Sequence, residues 1–240
     1  AELIPLMTPE DEEEIEKEKV PEVLPILPLR NTVLFPGVVI PITAGRDQSI
    51  KLIKEANKGS KTVGVVAQKN ELTENPKLDD IYKIGTVARI LKILKMPDGN
   101  TMVVLQGKKR FHLDELIQEE PYLKANVTEM SETLPEDKDS EFNAIIDSIK
   151  DISQKIIKEN PNIPTEASFA IKNIQSNSFL INFVSSNLNL TTEEKQELLN
   201  INSLKKRALS TLKRMNKELQ RLELSNDIQS KVREDMDQQQ

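Results

Sequence analysis

The side chains able to do chemistry are few. His112 is the only histidine in 240 residues and there is no cysteine, so a histidine dyad, a thiol nucleophile and a Cys- or His-rich metal site are excluded within this chain. His112 lies in GKKRFHLDEL, a segment that reads as a strand with the imidazole facing solvent. Gly59-Ser60-Lys61-Thr62 is the nearest approach to a phosphate loop. It lacks the adjacent Gly-Lys and the upstream glycine that let backbone amides wrap a phosphate. The acidic pair Glu119-Glu120 could be imagined as acid–base machinery, but it precedes Pro121 in a polar connection and reads as a solvated loop. No catalytic residues and no metal ligands are therefore assigned. A binding or assembly role is the expectation.

Composition narrows the partners. With 37% hydrophobic residues the chain can pack a core, and its net charge of −6 argues against a generally basic nucleic-acid binder. No apolar run approaches the roughly 20 residues of a membrane span and no signal-peptide pattern opens the sequence. The lack of cysteine fits a reducing cytoplasm. The expected partners are other proteins, with no membrane and no nucleic acid.

The sequence predicts an α+β chain in four parts. Residues 1–21 carry Asp11, Glu12, Glu13, Glu14, Glu16 and Glu18 with little to bury, and read as a disordered acidic lead-in. Residues 22–132 read as a curved sheet or partial barrel with one short helix. Ile26 to Leu29, Val38 to Ile42, Val63 to Ala67 and Gly85 to Lys95 are the strand candidates. Arg46 to Lys58 switches to a helical period, with Asp47 as the expected cap and Gly59 as the stop. Lys95-Met96-Pro97-Asp98-Gly99-Asn100 supplies the turn of a long hairpin with an exposed tip.

Residues 136–202 read as a helical subdomain. Phe142, Ile145, Ile149, Ile152 and Ile156 form one apolar stripe, and Thr191-Thr192-Glu193-Glu194 has capping-box spacing. From residue 203 to 240 no Gly or Pro interrupts a helical pattern. Its stripe shifts phase between Leu222 and Leu224, where the helix is expected to leave the bundle as a linker or coiled coil. Lys205, Lys206, Arg207, Lys213, Arg214, Lys217 and Arg221 could track phosphates, but read better as the solvated face opposite the leucines.

Taken in order, LPLRNTVLFPGVVIPI, AGRDQSI, VGVVAQKN, IGTVARILKILKMPDGN and VVLQGKKRFHL resemble the N-terminal domain of the ATP-dependent protease Lon. LTTEEKQELLNINSLKKRALSTLKRM and NDIQSKVREDMDQQQ resemble the helical subdomain and linker helix that precede that family's ATPase module. The resemblance covers residue 24 to the end and leaves out the acidic lead-in. It implies a cytoplasmic or organellar hexamer that unfolds proteins with an AAA+ ATPase using ATP and Mg, and cleaves them with a Ser-Lys dyad. Neither Walker motifs nor a dyad is visible, so this sequence reads as a piece ending before the ATPase, charged with capturing unfolded or misfolded protein substrates and helping the hexamer assemble. The alternative is a stand-alone Lon-domain binding module, which the long C-terminal helix disfavours.

Two surfaces are expected. Phe35 at the Pro36-Gly37 corner and Met96 beside Pro97 are apolar residues at positions hard to bury, so Leu34, Phe35, Pro36, Met96 and Pro97 are expected to form a shallow client-binding patch, with Arg46 and Asp47 as its polar rim. The competing reading for Phe35 is that it folds back to plug the barrel end. The second surface is Leu224, Ile228, Val232 and Met236, a stripe without a partner in the chain and therefore expected to serve assembly.

Overall fold

The computed structural model describes residues 7–239. Its β part is one strongly curved six-stranded sheet in the order β2-β5-β4-β3-β1-β6. The strands are β1 (Val23–Leu29), β2 (Val39–Ala44), β3 (Thr62–Ala67), β4 (Ile84–Lys95), β5 (Thr101–Gln118) and β6 (Lys124–Glu129). The 18-residue β5 causes the curvature. Its first part pairs with β2 and its last part with β6, so β6 bonds to both β1 and β5 and the sheet curls without forming a clean barrel. Register shifts between Thr86 and Ala88 and between Leu113 and Glu115 add the local bends such curling needs.

Helix α2 (Asp47–Lys58) packs Leu52, Ile53 and Ala56 against Leu27, Val65, Val103 and Leu105. Its N-cap is Arg46, with no side-chain cap, so Asp47 is not the cap that its residue type suggests; it sits in the first turn, where a carboxylate favours the helix dipole. A second core inside the curl gathers Leu24, Ile26, Phe111, Leu113 and Ala125.

The helical part comprises α3 (Ser140–Glu159), α4 (Glu166–Lys172), α5 (Asn177–Asn187), α6 (Thr192–Asn200) and α7 (Leu204–Gln238). Asp139 caps α3 by accepting from the Phe142 amide, and Thr191 and Glu194 form the reciprocal capping box of α6. Phe142, Ile145, Ile149 and Ile156 are buried, as a 3.6-residue period requires; Ile152 is partly buried. Helix α7 runs 35 residues, about 52 Å at 1.5 Å per residue. It buries Leu204, Ala208, Thr211, Met215, Leu219 and Leu222 against the bundle; beyond them Asn226 still donates to Glu159 O at 3.0 Å and to the Glu159 carboxylate at 2.8 Å, and residues 227–239 are exposed.

The acidic lead-in differs from the sequence expectation. Residues 1–6 lie outside the described residues, but Pro9–Lys17 form a helix, α1, started by a Thr8–Asp11 capping box with Pro9 in its first turn. Met7 and Ile15 are buried. Two apolar anchors and a satisfied N-terminus hold a segment whose charge alone argued for disorder.

Candidate functional site

Among the described residues, no group of three or more His, Asp or Glu side chains is placed to hold a metal ion. The His112 imidazole is 2.8 Å from Asp114 Oδ1 on the same strand, and Thr128 Oγ1 donates to the other carboxylate oxygen at 2.5 Å. The Thr128 bond first, then the His112 bond, holds the Asp114 carboxyl below its usual range. The Thr128 hydroxyl bonds the carboxylate and not the imidazole, so the three do not form a nucleophile–histidine–carboxylate relay, and the His112 and Asp114 side chains are both more than 40% exposed. Gly59 to Thr62 ends α2 and enters β3, with the Lys61 amide donating to Ala56 O at 2.9 Å. Its backbone amides serve the helix end rather than an anion.

The expected patch does not assemble as one surface. Leu34 and Phe35 are 2% and 0% exposed and belong to different cores. Leu34 lies under α2, whereas Phe35 packs with the helical bundle residues around Phe179, so it plugs the junction between the sheet and the helices. The Pro36-Gly37 corner is what drives it inward. Gly37 has φ +81, and a Cβ there would stand 3.0 Å from Phe179 Cδ2 and 3.2 Å from Met7 Cε. Gly107 completes the corner by giving its carbonyl to the Gly37 amide at 2.9 Å and by letting the Phe35 carbonyl come within 2.4 Å of where its own Cβ would be. Pro36 is half-buried at this junction.

Met96 and Pro97 stand elsewhere, at the exposed tip of the β4–β5 hairpin. The Met96 amide donates to Asn100 O at 2.8 Å, and Gly99 at φ +88 closes the turn. β3 accompanies β4 only from Thr86 to Arg89, so Leu91 to Lys95 form a strand edge with β5 on one side. Leu91, Leu94 and Met96 are 49%, 41% and 36% exposed along it. Leu91 and Leu94 lie beyond the stretch of β4 that β3 covers, so the β3–β4 register, set by residues distant in the chain, leaves them on the surface.

Arg46 is structural. Its guanidinium donates to Glu74 O and Pro28 O, each at 3.1 Å, tying the start of α2 to β1 and to the loop before β4. Burial lowers its pKa, with Arg30 adding to the effect. Asp47 is exposed.

The sheet and the helices are joined by two buried arginines that sequence reasoning placed in solvent or passed over. Arg110 on β5 donates to Leu199 O at 2.8 Å, to Asn202 Oδ1 at 3.0 Å and to Ser131 O at 3.3 Å. Arg207 on α7 is fully buried; it pairs with Glu132 at 2.9 Å and donates to Asn182 Oδ1 at 3.0 Å and Ile201 O at 2.9 Å. Burial and the neighbouring Arg207 pull Arg110 down to about 10, while Glu132 opposes them. The basic face of α7 is further occupied by the Arg214 pairs with Glu194 and Glu197 and the Lys205 pair with Asp139. On the same helix Leu224, Ile228, Val232 and Met236 are 53–62% exposed in one stripe.

Comparison with known proteins gives a consistent picture. Residues 23–217 match the family described as the ATP-dependent protease La (LON) substrate-binding domain. The chain is 69% identical over its full 240 residues to the Lon protease of Flavobacterium johnsoniae and 49% identical over 99% of its length to that of Cytophaga hutchinsonii. It spans 29% of the length of each. In fold it is similar to the N-terminal domain of the Mycobacterium avium complex Lon protease, with TM-score 0.67 and 21% identity over 81% of this chain and 98% of that one. A Lon N-terminal domain protein from Xanthomonas campestris gives a TM-score of 0.54 at 16% identity, covering 79% of this chain and 96% of that one.

Proposed function

This chain belongs to the Lon substrate-binding domain family, and from that premise we propose that it captures unfolded or misfolded polypeptide at the β4–β5 hairpin and delivers it, along α7, to the ATPase of a full-length Lon protease. The observation that carries this reading is the free edge from Leu91 to Lys95, which offers unpaired backbone groups beside exposed Leu91, Leu94 and Met96. An extended client segment can add to that edge as a strand. Its main-chain hydrogen bonds supply sequence-independent affinity, and the flexible Met96 thioether repacks against whatever apolar side chain arrives. An edge of this kind is ordinarily a liability for a folded protein, which makes its retention here a reason to assign it a task.

The remaining parts of the reading concern the whole protein. ATP and Mg act in the ATPase module and the Ser-Lys dyad in the protease module, in a cytoplasmic hexamer; this region contributes recognition and assembly. The Leu224, Ile228, Val232 and Met236 stripe then packs on neighbouring subunits or on the ATPase. The curated relatives are Lon proteases more than three times as long as this chain, which favours the full-length reading over a stand-alone module.

The test uses carboxymethylated α-lactalbumin, which stays unfolded, and native α-lactalbumin as control. The purified chain should bind the first and not the second. Leu94→Ser/Met96→Ser should lower the affinity several-fold with unchanged melting temperature, and unchanged affinity would overturn the assignment.

A further inference from the structure

The sheet wall has a gap between β1 and β2. From Ile26 to Leu29, β1 pairs with β3 on one side, while its pairing with β6 on the other side ends at Pro25. β2 pairs with β5 alone, and the exposed Pro41, which has no N–H to give, sits in it as an edge strand allows. Between the two strands lies a pocket of about 350 Å³. Leu27 to Arg30 wall it on the β1 side and Pro41 to Gly45 on the β2 side, and Arg46 and Ser49 bring the start of α2 to it.

Charge in this pocket is one-sided. The charged residues that line it are Arg30 and Arg46, and among the described residues neither forms an ion pair. Burial and the nearby Arg30 both disfavour the Arg46 charge, and no carboxylate among the described residues opposes them. Asp47 is exposed and lies outside the lining, and Glu71 is bonded to Asn31. A partly buried cation is ordinarily paired, so the arrangement suits an anionic guest. Two neutral features point the same way. Arg46 is the N-cap of α2 without a side-chain cap bond, so the amides of Asp47 to Ser49 precede the first intrahelical bond, from the Ile50 amide to Arg46 O. Ser49, in that first turn, is 7% exposed and lines the pocket, and its hydroxyl has no hydrogen-bond partner among the described residues. Pro28 O and Glu74 O, which make Arg46 structural, also fix its guanidinium and leave it N–H groups to spare.

We propose that this pocket binds the carboxylate at the C-terminus of a polypeptide, with the last side chain lying against Leu29, Ile42 and Ala44. The flat guanidinium forks of Arg30 and Arg46 match a carboxylate, and the Ser49 hydroxyl donates to it. A free phosphate would leave the apolar walls unused. The residues before the carboxylate run along the unpaired edge of β2, whose main-chain groups hold them without regard to sequence. The inference rests on the client-capture reading and names a class of client for it, chains that end in an apolar residue. The site itself is separate, since β2 and β5 stand between it and the free edge of β4.

The probe is a fluorescein-labelled hexapeptide, Gly-Ser-Gly-Ser-Val-Leu with a free C-terminus, read by anisotropy against the whole chain beside the same peptide as its C-terminal amide. The acid should bind, and the amide should bind about ten-fold more weakly or worse, because it gives up charge-assisted hydrogen bonds. Arg30→Gln changes an exposed side chain and should weaken the acid peptide about ten-fold at unchanged melting temperature. Ser49→Ala should weaken it several-fold without lowering the melting temperature, since the hydroxyl leaves no partner behind. Equal binding of acid and amide, or unchanged affinity in both variants, overturns the proposal. Inorganic phosphate that displaces the probe as well as the unlabelled acid peptide does so too. Carboxymethylated α-lactalbumin separates the two readings: capture that falls in Leu94→Ser/Met96→Ser, with acid and amide peptides bound alike, sinks the pocket and keeps the hairpin. Acid-selective binding that falls in Arg30→Gln, with no α-lactalbumin capture by any variant, does the opposite.

Discussion

Replacing Arg207 by Met retains the aliphatic stem and removes the guanidinium, which isolates the polar junction from simple loss of volume. The change leaves Glu132 without its 2.9 Å partner and Asn182 Oδ1 without its donor, while Ile201 O keeps only the Arg110 contact at 3.4 Å. Removing one member of a buried ion pair costs about 3–5 kcal/mol. The Glu132 side chain is 26% exposed and partly solvated, so the lower end applies, about 3 kcal/mol. At about 2–4 °C per kcal/mol for a chain of this size, melting should fall by about 6–12 °C. Urea unfolding followed by far-ultraviolet circular dichroism gives the free energy directly. Glu132→Gln in the same background should then cost less than it does alone, with a coupling of about 1–3 kcal/mol. If Arg207→Met costs under about 1 kcal/mol, or the two changes add within about 0.5 kcal/mol, the pair is not what locks the helices to the sheet.

Phe35→Ala should lose about 3–5 kcal/mol by opening a cavity at the junction, and any fall in client affinity should track that loss across temperature; lost affinity at full stability would return Phe35 to the binding surface. Ile228→Asp/Val232→Asp should weaken self-association in sedimentation without changing the melting of the sheet, since both side chains are more than half exposed. Asp139→Asn tests a pH dependence. The Phe142 amide first, and the Lys205 bond second, hold the Asp139 carboxyl below its ordinary 3.8, so its charge stabilises the fold above that value and the benefit disappears as pH falls through the lowered folded-state pKa. Urea midpoints of wild type and Asp139→Asn should therefore differ most near neutrality and converge in acid, and a gap that persists into acid would refute this account.

Local rules reached far along this chain. Periodicity gave α2, α3 and α7, the Pro-Asp-Gly turn gave the hairpin, and the phase shift between Leu222 and Leu224 coincides with the last buried residue of α7, Leu222. An ordered series of segments was enough to suggest the family. These features depend on neighbours within a few residues, so the sequence by itself determined them. What only the tertiary structure decided involves partners far apart in the chain. The Pro36-Gly37 corner could have held Phe35 outward or inward; the choice fell to the close backbone approach of Gly107 and to Phe179, 144 positions later. Arg207 looked like one more charge on a solvated face, and became a buried residue because Glu132, Asn182 and Ile201 converge on it from three other segments. The lead-in's composition spoke for disorder, yet Met7 and Ile15 found a cleft that exists only once sheet and helices have met. Burying a charge or an exposed-looking aromatic requires partners fixed in place beforehand, and tertiary packing supplies those partners.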